Sequence, residues 1–221
     1  MNVRTSSDKI DTCRKTLTEL LLSDYPEASA REQQTEDDLL LALARDYGLE
    51  SESIALPVGD GRPQDTSSPV IAVDHAACIL CDRCIRACDE VQHNDVIGRT
   101  GKGYLSRISF DLDDPMGGST CVSCGECAAV CPTGALTNKT LTEPIRPRRQ
   151  LESVESVCPY CGVGCAITYQ VDRDSNAIVL AEGRESPGSE SRLCVKGRYG
   201  FDYARHAQRL TTPLVRREEF Y

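Results

Sequence analysis

The sequence predicts an α+β protein made of three small modules: a helical N-terminal segment, a cysteine-rich central domain and an incomplete β-hairpin domain. Aromatic residues make up 5% of the 221 residues and tryptophan is absent, whereas cysteine occurs 13 times. All cysteines but one lie between Cys78 and Cys194. Apolar residues recur at helical spacing near the N-terminus, and β-prone runs occur near the C-terminus. Metal centres or disulfides are therefore expected to replace part of the apolar interior.

The N-terminal module, residues 1–56, is expected to begin with an amphipathic helix that ends near Pro26. Its apolar stripe is Ile10, Cys13, Leu17, Leu20 and Leu21. Because Cys13 lies on this stripe, it is expected to be a buried thiol of the core.

A second helix is expected from about Asp37, with Thr35 as its N-cap and Gly48 as its end. Its apolar face is Leu40, Leu43 and Tyr47. Residues 57–69 are rich in Pro, Gly, Ser and Asp without periodicity, which indicates a linker.

The central module, residues 70–142, contains an internal duplication: CILCDRCIRAC and CVSCGECAAVC share the spacing C-x2-C-x2-C-x3-C. Bacterial two-cluster ferredoxins use this spacing, and the fourth cysteine of each run binds the cluster of the other run. The first predicted set is Cys78, Cys81, Cys84 and Cys131. The second predicted set is Cys88, Cys121, Cys124 and Cys127. Zinc and plain buried thiols are the alternatives, although zinc sites normally use two C-x2-C pairs separated by a spacer.

The last module, residues 154–221, follows a second predicted linker at residues 143–153. It opens with CPYCGVGC and continues with a predicted hairpin formed by residues 167–171 and 177–181. Its cysteines, spaced C-x2-C-x3-C-x28-C, form the third predicted set: Cys158, Cys161, Cys165 and Cys194. A zinc ribbon could use a similar layout, so spacing alone leaves zinc open here.

CPYCGVGC, the hairpin and LCVKGRYG together resemble the N-terminal iron–sulfur domain of molybdenum or tungsten bis-pterin oxidoreductases, most closely formate dehydrogenase catalytic subunits. The segments DHAACILCDRCIRACDEVQ and CVSCGECAAVCPTGALT resemble the matching part of cytoplasmic, NAD-linked formate dehydrogenases, which is shared with the large iron–sulfur subunit of complex I. The resemblance implies a [4Fe–4S] cluster in the third set. It also implies that Lys196 lies between that cluster and the pterin cofactor.

The chain departs from these families at both ends. Tyr25 stands where the families have a histidine cluster ligand, and the three cysteines that accompany it are replaced by Ser29, Glu32 and Asp38. That additional cluster is therefore expected to be absent. The domains that bind the pterin and carry the catalytic residues are expected to lie outside these 221 residues, so no catalytic residue is assigned. Phe201, Tyr203, Leu210 and Leu214 are expected to be exposed where those domains would pack.

The sequence therefore predicts an electron-transfer module with three [4Fe–4S] clusters, and a molybdenum or tungsten bis-pterin cofactor only if missing domains or a partner polypeptide supply it. The expected partners are a pterin-containing catalytic polypeptide and flavin- or NAD-binding iron–sulfur subunits. The formal charge of −9 argues against nucleic acid, and no membrane span or export signal is visible, so a cytoplasmic location is expected. The alternatives are a stand-alone ferredoxin-like subunit, the N-terminal part of a nitrate reductase or complex I-like subunit, and a zinc-binding interaction module.

Overall fold

The computed structural model describes residues 3–26, 29–49, 62–142 and 145–216. These residues form a mixed structure of short helices and strands. The helices are α1 (Asp8–Leu22), α2 (Ala30–Thr35), α3 (Leu39–Asp46), α4 (Arg83–Arg86), α5 (Glu126–Val130), α6 (Lys139–Thr142) and α7 (Val195–Tyr199). The strands are β1 (Gln64–Asp65), β2 (Ile71–Asp74), β3 (Ile97–Thr100), β4 (Arg107–Phe110), β5 (Leu136–Asn138), β6 (Glu152–Val157), β7 (Ala166–Asp172) and β8 (Ala177–Gly183).

Helix α1 is present as predicted, but its apolar stripe faces solvent. The N-cap is Ser7, whose Oγ accepts a hydrogen bond from a backbone N–H of the first turn (3.3 Å). Leu17 and Leu20 are 60% and 61% exposed, whereas Thr18 is buried. Cys13 is also exposed, so the prediction of a buried core thiol was wrong. Periodicity identified the helix, but the face that packs depends on α3, which α1 contacts, and local spacing does not encode that contact.

Helix α3 begins later than predicted and has a different cap. Thr35 ends α2, a helix that the sequence did not predict, and its Oγ1 donates to the carbonyl of Arg31 (3.1 Å). Asp38 is the N-cap of α3, because its Oδ1 accepts hydrogen bonds from two N–H groups of the first turn (3.0 and 3.2 Å). The predicted Thr35 cap was therefore wrong. The part of the module after residue 49 lies outside the described residues.

A buried hydrogen-bond network attaches these helices to the central domain. Tyr25 Oη and Ser29 Oγ both donate to Asp38 Oδ2, the latter over 2.5 Å, and Asp38 is fully buried. Tyr25 Oη in turn accepts a hydrogen bond from the N–H of Gly134 (3.3 Å), and the first N–H of α3 donates to the carbonyl of Pro132 (2.8 Å). These bonds hold the N-terminal helices on the loop that follows Cys131.

The central domain contains two small antiparallel sheets. Strands β1, β2 and β5 form one sheet in that order, with Ile71 opposite Asn138, and β3 pairs with β4 in the other. The β3–β4 pair occupies the long insertion between the two cysteine runs. Strand β1 lies within the stretch 57–69 that was predicted as a linker, of which residues 57–61 fall outside the described residues. The apolar core is formed by Ile71, Val73, Val96, Ile97, Ile108, Phe110, Met116 and Leu136.

The last module is a three-stranded antiparallel sheet, in the order β6-β7-β8, followed by α7. The predicted hairpin is confirmed by β7 and β8. Strand β6 was not predicted, and it begins within the stretch 143–153 assigned to a linker. Phe201 is buried against Ile167, Ala181 and Leu193, so its predicted exposure was wrong. The 3-10 helix of residues 200–205 folds this ring back onto the sheet, whereas Tyr203, Leu210 and Leu214 are exposed.

Within the described ranges, no helix is both long and apolar enough to span a membrane.

Candidate metal centres

The two cysteine runs have the same local backbone up to their third cysteine. The residue before the second cysteine adopts a positive φ in both runs, at 54° for Leu80 and 53° for Ser123. The residue before each short helix does so again, at 61° for Asp82 and 78° for Gly125. Each run therefore makes a compact loop that leads into α4 or α5, with its third cysteine in the first turn of the helix. The runs differ at the fourth cysteine, because Cys88 lies in a π-helix (Ala87–Val91) whereas Cys131 follows the end of α5 in an extended conformation. The sequence duplication is thus a duplication of backbone conformation through the third cysteine.

The first predicted set lines one cavity. Three of its cysteines come from the first run, and Cys131 comes from the second run. The other lining residues are mainly apolar and include Ile79, Leu80, Ile108, Ala135 and Leu136. Burial, and to a smaller extent the neighbouring Cys131, Cys78 and Cys81, together raise the pKa of Cys84 to about 12. This mutual influence shows that the exchanged cysteine lies close to the other three.

The second predicted set lines a separate cavity that receives Cys88 from the first run. Burial raises the pKa of Cys127 well above the ordinary thiol value, and Cys124, Cys84, Cys121 and Cys88 add to the shift. Because Cys84 belongs to the first set, the two cavities are neighbours.

Backbone N–H groups approach the sulfurs of the second set. The N–H of Val96 lies 3.4 Å from Cys88 Sγ, and the N–H of Ser123 lies 3.4 Å from Cys121 Sγ. Such contacts stabilise negative charge on sulfur and tune the potentials of iron–sulfur clusters. Four thiols in a mostly apolar cavity with N–H donors fit the ligand chemistry of a [4Fe–4S] cluster, which compensates thiolate charge that burial otherwise disfavours.

Across the described residues, no group of three or more His, Cys, Asp or Glu side chains converges as it would to hold a single metal ion.

The third predicted set is more open. Cys158 follows β6 and is buried, and its N–H donates to the carbonyl of Cys165, just before β7 (2.9 Å). Cys194 is the N-cap of α7. A Cβ added at Gly197 in α7 would lie 3.5 Å from Cys158 Sγ, so the cysteine loop and α7 are in close proximity. Cys161 and Cys194 are exposed, and apolar residues are exposed around them: Val157, Tyr160, Val163 and Val195.

Lys196 occupies an exposed position in α7, two residues after Cys194. Of the three histidines, His93 and His206 are exposed. His75 is buried in the 3-10 helix that precedes the first run, where burial and the nearby Arg107 lower its pKa. Its Nδ1 has no hydrogen-bond partner among the described residues.

The sequence did not reveal a buried ion cluster between the central and last modules. Glu126, in the first turn of α5, forms ion pairs with Arg198 of α7 (3.0 Å) and with Arg192. Glu126 and Arg198 are almost fully buried, at 2% and 4% exposure. The sequence does differ between the two runs at this point, because the second run has Gly-Glu where the first has Asp-Arg. It did not identify the partner, which lies 72 residues away.

Residues 68–137 match the ferredoxin-like domain of NADH-quinone oxidoreductase subunit 3, and residues 151–206 match the molybdopterin oxidoreductase Fe4S4 domain. The chain carries two iron–sulfur domains. The first includes both cavities, and the second includes the third cysteine set. Iron–sulfur domains of these types occur in formate dehydrogenase-like proteins and in NADH-quinone oxidoreductases, and their function is electron transfer.

Several curated proteins are similar to this chain at about 30% identity. A probable oxidoreductase of Bacillus subtilis is 30% identical over 72% of this chain and 20% of its own length. A putative formate dehydrogenase of Staphylococcus haemolyticus is 28% identical over 79% of this chain and 21% of its own length. An NADH-quinone oxidoreductase polypeptide of Rhizobium meliloti is 29% identical over 99% of this chain and 25% of its own length. The chain thus spans between a fifth and a quarter of these curated relatives.

Among solved structures, a chain of an NAD+-reducing [NiFe]-hydrogenase in the H2-reduced state is similar, with a TM-score of 0.54 and 28% sequence identity. The match covers 61% of this chain and 57% of that one. The fold therefore recurs in a multi-subunit oxidoreductase.

Proposed function

We propose that this chain is the iron–sulfur electron-transfer module of a formate dehydrogenase-like molybdopterin oxidoreductase and binds three [4Fe–4S] clusters. The first would be held by Cys78, Cys81, Cys84 and Cys131. The second would be held by Cys88, Cys121, Cys124 and Cys127, and the third by Cys158, Cys161, Cys165 and Cys194. The corresponding modules would be residues 70–142 and 154–221, after a helical segment at residues 1–56.

One observation carries the proposal: each of two neighbouring cavities is lined by four cysteines, and the runs exchange their fourth cysteine. This exchange is characteristic of two-cluster ferredoxins. Zinc sites normally take their ligands from C-x2-C pairs, whereas each cavity here combines three cysteines of one run with the fourth cysteine of the other.

A bound [4Fe–4S] cluster supplies one-electron redox chemistry. The chain's own residues supply the thiolate ligands, and the apolar lining of the first two cavities limits the access of water. N–H groups such as that of Val96 stabilise negative charge on the ligand sulfurs. Because the two cavities have different surroundings, the two clusters of this domain would have different reduction potentials.

The third site and Lys196 are proposed to face a bis-pterin molybdenum or tungsten cofactor held by a further polypeptide region or by a partner. The support is the match of residues 151–206 to a molybdopterin oxidoreductase domain and the exposure of Cys194 and Lys196. Electrons would pass from there through the central domain to flavin- and NAD-binding subunits. A cytoplasmic location is proposed on the same resemblance to NAD-linked enzymes.

A complex I-like subunit is the second candidate, since 99% of the chain aligns with a polypeptide of an NADH-quinone oxidoreductase. Affinity purification of the encoded complex distinguishes the two. Molybdenum or tungsten with pterin in the purified complex supports the first candidate. Quinone-reductase subunits without either metal support the second.

Anaerobic reconstitution with iron and sulfide tests the cluster proposal directly. We expect about twelve irons per chain, brown colour and electron paramagnetic resonance (EPR) signals from reduced [4Fe–4S] clusters. A colourless protein that binds zinc would contradict the proposal, and about eight irons would limit it to two clusters.

A further inference from the structure

Helix α7 begins at the third cysteine set and ends on the second cysteine run. Arg198 lies on this helix with 4% exposure. Its Nε donates a hydrogen bond to the carbonyl of Cys124 (3.0 Å), and its Nη2 donates to Glu126 Oε2 (3.0 Å). One arginine of the last module thus contacts the backbone of a second-set cysteine and the residue that precedes Cys127.

The same arginine is linked to the third set through its backbone. Its N–H donates a hydrogen bond to the carbonyl of Cys194, one helical turn earlier (3.0 Å). Arg198 is therefore hydrogen-bonded to one cysteine of the third set and to one cysteine of the second set.

The contact between α7 and the second run allows little movement. A Cβ at Gly125 would lie 2.3 Å from Arg198 Cδ and 2.3 Å from Tyr199 Oη, so only glycine permits this approach. Tyr199 Oη also donates to Asn138 Oδ1 (2.6 Å) on β5. The position of α7 on the central domain is thus determined by packing and by hydrogen bonds on both sides of Arg198.

The junction carries an excess of positive charge. Glu126 is a single carboxylate in contact with both Arg198 and Arg192, whose side chain is 45% exposed. A buried cation is poorly screened by solvent, so its field reaches the second cavity.

We propose that Arg198 is a positioning residue that joins the second and third cysteine sets and raises the reduction potential of the cluster held by the second set. The physical reason is that reduction adds one negative charge to that cluster, and the buried guanidinium stabilises the more negative state. The inference rests on the proposed function, because it requires a cluster in the second set.

The test is an EPR-monitored redox titration of the reconstituted full chain. The second-set signal is identified as the one lost in Cys121→Ser. In Arg198→Met, which keeps side-chain length without the charge, we expect the reduced-to-oxidised ratio of this cluster at fixed potential to fall about tenfold, equivalent to about 59 mV for one electron. The first-set signal, as an internal control, should not move. Arg198→Lys should restore most of the wild-type potential.

Arg83→Met is the matched control, because Arg83 precedes the third cysteine of the first run but is exposed to solvent. It should leave both potentials unshifted, since solvent screens its charge. If Arg198→Met fails to retain iron, Glu126→Gln gives the opposite test: it removes the compensating carboxylate and should raise the second-set potential.

An unshifted second-set potential in an iron-replete Arg198→Met protein would overturn the inference, and so would an unchanged or lowered potential in Glu126→Gln. The iron content of the wild-type protein distinguishes a failure of this inference from a failure of the proposed function. Too little iron in the wild type contradicts the cluster proposal, whereas full iron with no shift in the variants contradicts only the role of Arg198.

Discussion

The first cysteine run carries Asp82 and Arg83 before its third cysteine, and the second run carries Gly125 and Glu126 at the same two positions. The backbones match up to the third cysteine, but the surroundings do not. Asp82 forms a half-exposed ion pair with Arg99, and Arg83 is exposed, whereas the equivalent positions of the second run are covered by α7. Equivalent loops can thus present similar cysteine geometry while neighbouring elements set the charge and the solvent access of each site.

The largest expected effect tests the exchange of cysteines between the runs. Cys131→Ser and Cys78→Ser should each remove about four irons, and the double variant should lose no more than either single variant, because both change one cluster. Combining Cys131→Ser with Cys121→Ser should instead remove about eight irons. Iron analysis of the reconstituted proteins provides the count. Additive loss for Cys78 with Cys131 would show that the runs do not exchange ligands.

The next largest effect concerns the residue before the third cysteine, which α7 covers in the second run and which is exposed to solvent in the first. Glu126→Ala leaves the buried Arg198 without its carboxylate partner, and we expect the protein to lose about 3–5 kcal/mol of stability. Arg83→Ala, at the exposed position, should change stability by less than about 0.5 kcal/mol. Urea unfolding followed by circular dichroism measures both. Similar losses of stability in the two variants would show that the packing of α7 on the second run contributes little to the stability of the protein.

A smaller effect on stability is expected at Gly125 and Asp82, the residues with positive φ that precede α5 and α4. Gly125→Ala places a Cβ against Arg198 and Tyr199 at a φ of 78°, and we expect a cost on the order of 1–3 kcal/mol. Asp82→Ala loses mainly a partly exposed ion pair, which contributes about 0.2–1 kcal/mol. Thermal unfolding should therefore show the larger decrease in Tm for Gly125→Ala. The reverse order would argue against the close contact of α7.

The smallest expected effect concerns thiol reactivity in metal-free protein. Burial raises the pKa of Cys84 to about 12 and that of Cys127 well above its ordinary value, so both remain protonated thiols at about pH 8. Exposed Cys81 and Cys161 should be alkylated by iodoacetamide at least about tenfold faster, because only the accessible thiolate reacts. The rates at Cys84 and Cys127 should keep rising above about pH 9. Mass spectrometry of labelled peptides gives the rates, with circular dichroism as the control for folding. Uniform labelling of a folded sample would contradict the enclosed cavities.

The third cysteine set also differs from the first two in how far it is enclosed. Cys158 is buried but Cys161 and Cys194 are exposed, and the surrounding apolar residues are exposed with them. The central domain encloses its cysteines with its own core. The last module has a small core around Ile167 and Leu193 that leaves this side of the cysteine loop uncovered.

Local patterns in the sequence determined which residues form helices and strands in several regions. Helix α1 follows from its periodicity, and the β7–β8 hairpin follows from two β-prone runs around a turn. Cysteine spacing predicted the three thiols that each run contributes to its own cavity, because a short loop restricts where its thiols can point. These features depend on residues that are close in sequence.

The sequence did not predict features that depend on distant residues. The exposed face of α1 and the buried position of Phe201 were assigned incorrectly, because each depends on a neighbouring element. The N-cap of α3 was assigned to Thr35 because helix α2, which ends at that residue, was not predicted. Strand β6 was missed because its sequence, ESVESV, lacks the alternation of polar and apolar residues that marks a strand, and only its pairing with β7 identifies it.

By itself, the sequence determined the number and spacing of the thiols, and it predicted their division into three sets and the iron–sulfur chemistry that such spacing favours. Only the tertiary structure decided which sets are enclosed, that Asp38 joins the N-terminal helices to the loop after Cys131, and that Arg198 lies between two cysteine sets. The physical reason is that ligand spacing is a local property of the chain, whereas burial and electrostatic environment arise from residues that folding brings together across 70 or more positions.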